Sequence, residues 1–228
     1  MKVVAIVPAA GRGIRLKRSL SKALVPLAQK PIAIRTLEAL SKIKEINQLI
    51  VAANRNDVIK LQSAICRYRV KKVTKVIRGG STRSQSVKNC LKHIDQDVDI
   101  VIVHDGARPL VNKEVVLAVI RKARKFGAAI AAVPVSPTIK KADPQRLEVT
   151  ETLERRLLWA VSTPQAFKKA ILQKAYKRLN KKQKKASDDA SLVEKLGYSV
   201  KIVRDSYRNI KITTPEDLLL ARLLLRQR

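Results

Sequence analysis

A chain of 228 residues, 46% hydrophobic and 29% charged, is long enough to bury one sizeable core without disulfide or metal staples. Seven glycines exclude collagen-like and wholly disordered readings, and two histidines plus two cysteines without a CxxC exclude structural zinc, iron–sulfur and haem-attachment patterns. Forty-nine Lys and Arg against 18 Asp and Glu leave a formal charge of +31, which points to polyanionic substrates or partners.

At the N-terminus Met1-Lys2 runs straight into Val3–Val7 and Pro8 with no secretory h-region, so a cytoplasmic location is expected. The longest apolar runs fall well short of the ~18 residues of a membrane span. Continuous β-branched runs at Val3–Val7, Gln48–Ala53, Val73–Ile77, Asp99–Val103 and Ala128–Val135 read as strands covered on both faces. Helical periodicity fills the gaps at Ile32–Ile43, Val58–Ile65, Ser81–Ile94 and Lys113–Phe126. This alternation predicts an α/β fold, with a mostly parallel central sheet and helices on both faces. Beyond Val135 the rhythm breaks. Ile139–Thr152, interrupted by Pro144-Gln145, reads as a β-arm projecting from the sheet, spanning 136–156.

Regular structure resumes at Leu157–Ser162, followed by a lysine-rich helix, a helix at Asp189–Leu196, a strand at Ser199–Val203 and a last helix from Pro215. Leu218, Leu219, Leu220, Leu223 and Leu224 predict that this last helix is docked. With no repeat and no linker, residues 1–228 read as a single domain. Cys66 and Cys90 both lie in apolar, helix-like surroundings and read as buried. From Lys168 to Lys185 nine of 18 positions are basic and none acidic. That stretch is either the solvated face of a helix whose stripe is Ile171, Leu172, Ala175, Tyr176 and Leu179, or a polyanion-binding surface. Aromatics, at 3%, leave little material for stacking bases.

Three loops carry candidate chemistry. Pro8-Ala9-Ala10-Gly11-Arg12-Gly13-Ile14-Arg15 follows the first strand, where open α/β sheets bind ligands and small residues let backbone approach an anion. It lacks the third glycine of the dinucleotide fingerprint and the Gly-Lys-Ser/Thr ending of a P-loop. Arg12, Arg15 and Lys22 suit neutralisation of a transferring phosphoryl group. Equally, Arg12, Arg15, Lys17, Arg18 and Lys22 are five of 49 basic residues. The second loop, Gly79-Gly80-Ser81-Thr82-Arg83-Ser84-Gln85-Ser86, offers Ser81 as a helix N-cap or as a ligand-facing hydroxyl, and Ser86 as a partner for a base. The third, His104-Asp105-Gly106-Ala107-Arg108, places an acid just past a strand. Asp105 suits Mg2+ held jointly with substrate phosphates, or a turn cap. His104 reads as a structural hydrogen-bonder.

These segments, AAGRGIR, SKAL, GGSTRSQSV, HDGARP, PVSPTIK, STPQAF, SDDAS and NIKITTPEDL, occur in the order found in the 2-C-methyl-D-erythritol 4-phosphate cytidylyltransferases of the non-mevalonate isoprenoid pathway, which the whole chain resembles. The resemblance implies a nucleotide-diphospho-sugar-transferase-like, Rossmann-like fold and a homodimer that exchanges β-arms. It implies transfer of CMP from CTP to methylerythritol phosphate with release of pyrophosphate, and Mg2+ as cofactor. It places Arg15 and Lys22 as transition-state cations and Gly11, Arg12 and Gly13 in the triphosphate loop. Ala9, Ala10, Gly80, Ser81 and Ser86 fall at the cytosine, Pro8 and Gly106 near the ribose, and Asp105 on the metal. Arg108, Thr138, Arg155, Thr163 and Lys211 fall at the acceptor, Arg155 arriving from the partner's arm. Ser21 stands where the family has proline, HDGARP replaces HDAARP, and Glu154-Arg155-Arg156 offers two neighbouring arginines. A ribitol 5-phosphate cytidylyltransferase and a non-catalytic nucleic-acid-binding protein are the competing readings.

Overall fold

The computed structural model describes residues 1–11, 13, 16, 21–178 and 187–227. In chain order the elements are β1 (Val3–Ala9), β2 (Pro26–Leu27), β3 (Lys30–Pro31), α1 (Ile32–Ser41), β4 (Gln48–Ala53), α2 (Val58–Arg67), β5 (Val73–Arg78), α3 (Arg83–Leu91) and β6 (Ile100–Val103). Then come α4 (Lys113–Phe126), β7 (Ala128–Pro134), β8 (Lys140–Asp143), β9 (Glu148–Thr152), β10 (Trp159–Lys168), α5 (Lys169–Lys177), α6 (Ala190–Glu194), β11 (Lys201–Arg204) and α7 (Pro215–Arg226). Seven strands form one sheet in the order β11-β7-β10-β6-β1-β4-β5. All neighbours pair in parallel except β10, which runs antiparallel to both β6 and β7.

Side chains of β1 alternate between two cores, as the two-residue period of a strand demands. Val3, Ala5 and Val7 pack under α1, α2 and α4, whereas Val4 and Ile6 pack under α3, α5 and α6. Both faces are therefore covered, which accounts for the unbroken apolar runs of the parallel strands. A third cluster joins Leu27, Ile32, Leu110 and Ile212 to Leu218 and Ala221 of α7 and ties the loops above the sheet to the C-terminal segment.

Several expectations are corrected. Of the stretch expected at Leu157–Ser162, Leu157 ends a 3-10 turn (Arg155–Leu157), and only the part from Trp159 opens a longer strand, β10, which continues to Lys168. On α7, Leu218 docks and Leu224 packs partly, but Leu219, Leu220 and Leu223 are 59%, 45% and 57% exposed. A 3.6-residue period turns those three away when Leu218 and Ala221 face inward. Cys66 is exposed. Cys90 is buried, and burial pushes its thiol up to about 12. The extended pieces after Val135 form the β8–β9 hairpin, whose turn is fixed by Asp143 Oδ1 accepting from Gln145 N (2.8 Å) and Arg146 N (3.1 Å). On α5, Leu172, Ala175 and Tyr176 are buried as the stripe predicts, while Leu179 and residues 180–186 lie outside the described residues.

Candidate active site

From β1 the chain leaves towards β4 on one side, and from β6 towards β7 on the other. Divergence of this kind opens a crevice at the carboxyl ends of the two strands. A cleft of about 550 Å3 occupies that position. The end of β1 and the loop after it supply Pro8, Ala9, Ala10, Gly11, Gly13 and Lys22. The loop after β5 supplies Gly80, Ser81, Thr82, Arg83 and Ser86, that after β6 supplies Asp105 and Gly106, and the segment before α7 supplies Lys211 and Thr213.

Backbone bonds continue the sheet into these loops: Gly106 N donates to Pro8 O (3.1 Å) and Gly79 N to Ala53 O (2.8 Å). The loops touch so closely that a Cβ on Gly79 would stand 2.5 Å from the Ala10 Cβ and 2.9 Å from Ser86 Oγ. The Thr82 hydroxyl, and not Ser81, caps α3 by accepting from Gln85 N (3.1 Å), so the exposed Ser81 is left to face the cleft. Ser86 Oγ accepts from Gly80 N and donates to Thr82 O, both at 3.0 Å. One lone pair of this hydroxyl remains for a ligand. At Gly106, a Cβ would meet the Ala9 Cβ at 3.0 Å and Pro8 O at 3.2 Å. An alanine there points at the end of β1 and fits only with a small shift, and the glycine relieves that contact.

Charge converges on one carboxylate. Asp105 is nearly buried, with Oδ1 2.8 Å from Arg83 Nε and Oδ2 2.7 Å from Lys211 Nζ and 3.8 Å from Arg108 Nε. Burial alone would raise its pKa, but Arg83 and Lys211 outweigh that and hold it well below the usual carboxylate range. Burial lowers the Arg108 guanidinium from its ordinary value. Lys22 Nζ lies 3.4 Å from Thr213 Oγ1, across the cleft from the loop end.

The TTPEDL segment has a local reason. Thr214 and Asp217 form a capping box with Pro215 at the first helical position, and Asp217 Oδ2 accepts from both Thr213 N (2.8 Å) and Thr214 N (2.9 Å). Together with Ile212 N donating to Ala107 O (2.9 Å), this fixes Lys211 and Thr213 over Asp105 and Lys22.

The remaining expected residues fall into three groups. Thr163 and Arg108 stand behind the cleft: Thr163 Oγ1 accepts from Asp105 N (3.0 Å) and Arg108 Nη1 donates to Asn209 O (2.6 Å). Thr138 and Arg155 are exposed near the base of the hairpin, outside their own chain's cleft, and Arg155 Nη1 donates to Ser136 O (2.6 Å). Arg12 and Arg15 lie outside the described residues. His104 is structural. Its Nε2 donates to Arg108 O (3.0 Å), and burial lowers its pKa to about 4. Sequence reading assigned no role to Arg83 or Thr213; the first carries a visible signal, a cation at a helix start beside few acids.

A family model described as IspD, 2-C-methyl-D-erythritol 4-phosphate cytidylyltransferase, matches residues 3–227. The chain is 46% identical over 228 residues to the 2-C-methyl-D-erythritol 4-phosphate cytidylyltransferase of Alkaliphilus metalliredigens, covering 100% of this chain and 94% of that protein. It is 40% identical to the protein of the same name from Caldanaerobacter subterraneus subsp. tengcongensis, covering 100% of both. The crystal structure of 4-diphosphocytidyl-2C-methyl-D-erythritol synthase from Anaerococcus prevotii superposes with a TM-score of 0.86 at 31% identity, covering 100% of this chain and 96% of that one. With the cleft at the switch point and a match along its whole length, the chain belongs to the 2-C-methyl-D-erythritol 4-phosphate cytidylyltransferase family.

Proposed function

We propose that the protein transfers CMP from CTP to 2-C-methyl-D-erythritol 4-phosphate, giving 4-diphosphocytidyl-2-C-methyl-D-erythritol and pyrophosphate in isoprenoid precursor synthesis. The observation that carries this reading is the meeting of Lys22, Lys211 and Asp105 with the glycine-rich end of β1 in one cleft. An acceptor phosphate oxygen attacks the α-phosphorus, the bond from that phosphorus to the bridging oxygen breaks, and pyrophosphate leaves. A phosphate monoester is largely ionised at neutral pH, so no general base is needed, and the buried His104 has no catalytic role. Lys22, with Arg15, neutralises charge that grows on the transferring group. The backbone of Gly11 and Gly13, with Arg12, meets the triphosphate. Ala9, Ala10, Gly80, Ser81 and Ser86 enclose a base, and the closeness of Gly79 to Ala10 favours a pyrimidine. Pro8 and Gly106 lie at the ribose.

For the acceptor, Lys211, Arg108 and Thr163 come from the same chain. Thr138 lies at the arm's base, and Arg155 comes from the arm (136–156) of a second copy in a homodimer. The exposed Arg155, outside its own cleft, supports that division. The residues present fit Mg2+ that arrives on the nucleotide. No group of three or more His, Cys, Asp or Glu stands together among the described residues, but Asp105 offers one ionised carboxylate in the same cleft as the glycine-rich loop after β1, and Mg2+ commonly takes one or two carboxylates besides substrate phosphates. When bound it would neutralise phosphate charge. Among the described residues no helix is long and apolar enough to cross a membrane, and we place the enzyme in the cytoplasm. The +31 charge gives at most non-specific attraction to nucleic acids.

Pyrophosphate release measured with CTP, UTP, ATP and GTP, each with methylerythritol phosphate or ribitol 5-phosphate, tests the reading. Turnover with CTP and methylerythritol phosphate is expected. Turnover only with ribitol phosphate overturns the acceptor, and salt-sensitive nucleic-acid binding without any turnover overturns the enzyme.

A further inference from the structure

The SDDAS segment puts two of the chain's 18 acids side by side, and the reaction described above uses neither. Asp188 serves the local backbone and a neighbouring amide, since its Oδ1 accepts from Ser191 N (3.0 Å) and its Oδ2 from Gln165 Nε2 (2.9 Å). Asp189 is fully buried. Its Oδ1 accepts from the Tyr176 hydroxyl (2.5 Å), its Oδ2 accepts from Arg83 Nη1 (2.7 Å), and its own N–H donates to Gln165 Oε1 (3.2 Å). A buried carboxylate with such partners is a fixed anchor.

Arg83 is the first residue of α3, where the positive end of the helix disfavours a cation. That local cost is offset by two carboxylates at once, since Nη1 meets Asp189 while Nε donates to Asp105 Oδ1 (2.8 Å). A broken local rule of this kind is expected where function demands it. Only a planar guanidinium presents separate nitrogens to two carboxylates in this way. The other cations near Asp105, Lys211 and Arg108, both approach Oδ2. Arg83 therefore restrains the opposite oxygen and stops the carboxylate from turning wholly towards them.

We propose that Arg83, anchored by Asp189, is a positioning residue that fixes the orientation of the Asp105 carboxylate in the cleft. It acts through Asp105 and not on the substrate. This inference rests on the cytidylyltransferase reading and names a part of its machinery that spans α3, β6 and the α5–α6 junction.

A double-mutant cycle tests it. Wild type, Asp105→Asn, Asp189→Asn and the double variant are compared by kcat/KM, by calorimetric affinity for CTP with Mg2+, and by thermal unfolding. Each single substitution is expected to lower kcat/KM by about 10- to 100-fold, the scale of a lost hydrogen bond to a charged group. The double variant should match Asp105→Asn within about twofold, because both changes disable one unit. Losses that multiply would overturn the proposal, since a purely structural Asp189 acts independently of Asp105.

Should Asp189→Asn fail to fold, Arg83→Gln replaces it in the cycle. Arg83→Lys keeps the charge but reaches one carboxylate, so it should remain well below wild type, and full activity in that variant also overturns the proposal. If wild type releases no pyrophosphate from CTP, the functional reading fails, and the same cycle read from CTP affinity still decides on Arg83.

Discussion

Gly13 lies directly against Lys22: with φ at +71°, its missing Cβ would stand 2.7 Å from the Cβ of Lys22 and 3.0 Å from the Lys22 backbone nitrogen. The phosphate loop thus rests on the residue expected to stabilise the transferring group. Alanine at this position meets both a disfavoured backbone region and a neighbour that is main chain as well as side chain. Gly13→Ala is expected to lower stability by about 1–2 kcal/mol and to cut kcat/KM at least tenfold by displacing Lys22. Gly11 is the contrast, since a Cβ there meets nothing within 4 Å. Gly11→Ala should leave unfolding nearly unchanged and weaken CTP binding alone. Denaturant melts with CTP titrations separate the two, and equal loss of stability in both variants would contradict the contact.

Ser21 bears on the same segment. Its φ of −60° and ψ of 148° are those of a proline, and its buried Oγ has no hydrogen-bond partner among the described residues. Ser21→Pro removes an unsatisfied hydroxyl and restricts the unfolded chain. A gain of about 0.4–1 kcal/mol is expected from the unfolded-state term alone, with kcat retained. A loss of stability in urea melts would show that the loop here needs a backbone N–H or a conformation that proline refuses.

How far these features could be read in the sequence depended on the range of the interaction behind each. β4 and α4 have the bounds that the sequence predicts. The first is an unbroken buried run, and the second is closed by Asn112 as N-cap and by Gly127 at φ +97°. β10 was harder to read because Ser162-Thr163-Pro164 resembles a turn. The strand absorbs it by shifting register against β7 between Val161 and Gln165. The cleft loops were legible as glycine-rich ends of parallel strands. The pairing of Arg83 with Asp189, 106 residues apart, has no local pattern and follows only from how α3 and α6 pack on the sheet. The exposed leucines of α7 show the opposite failure, an apolar composition that overstated burial.

His104 makes the fold sensitive to acid. Burial is the main cause that lowers its pKa from 6.5 to about 4. The Arg108 carbonyl, Asp105 and Asp205 oppose that shift, and the Arg108 guanidinium adds to it. The unfolded chain therefore takes up a proton at this position at higher pH than the folded one, and the His104 contribution to stability is full above about pH 6.5 and lost as pH falls towards 4. Between pH 7 and pH 5 the expected loss is about 2 kcal/mol, at 1.36 kcal/mol per pH unit below the ordinary histidine value. Asp105 shifts in the same sense but titrates below this window. His104→Gln retains a donor for the Arg108 carbonyl and should flatten the dependence. Metal-free urea melts at the two pH values check this, and an unchanged slope would mean that His104 is protonated in the fold.

Lys22 and Arg155 provide the sharpest test of the shared site. Lys22 lines its own chain's cleft, whereas Arg155 is exposed outside it. Lys22→Ala should reduce kcat by about 10²–10³, the scale of one lost transition-state donor. Arg155→Ala should raise KM for the acceptor more than KM for CTP. In a symmetric dimer with exchanged arms, mixing the two impaired variants creates heterodimers, and activity is read with the acceptor far below its raised KM. One of their sites carries both changes, and the other combines an intact Lys22 with an intact Arg155. Random pairing at equal concentrations makes half the dimers mixed, so activity should recover to about a quarter of wild type. Recovery should require subunit exchange and follow its rate. If the mixture stays as impaired as its components after exchange is shown by mass, Arg155 does not serve the partner's cleft, and the neighbouring Arg156 becomes the residue to vary.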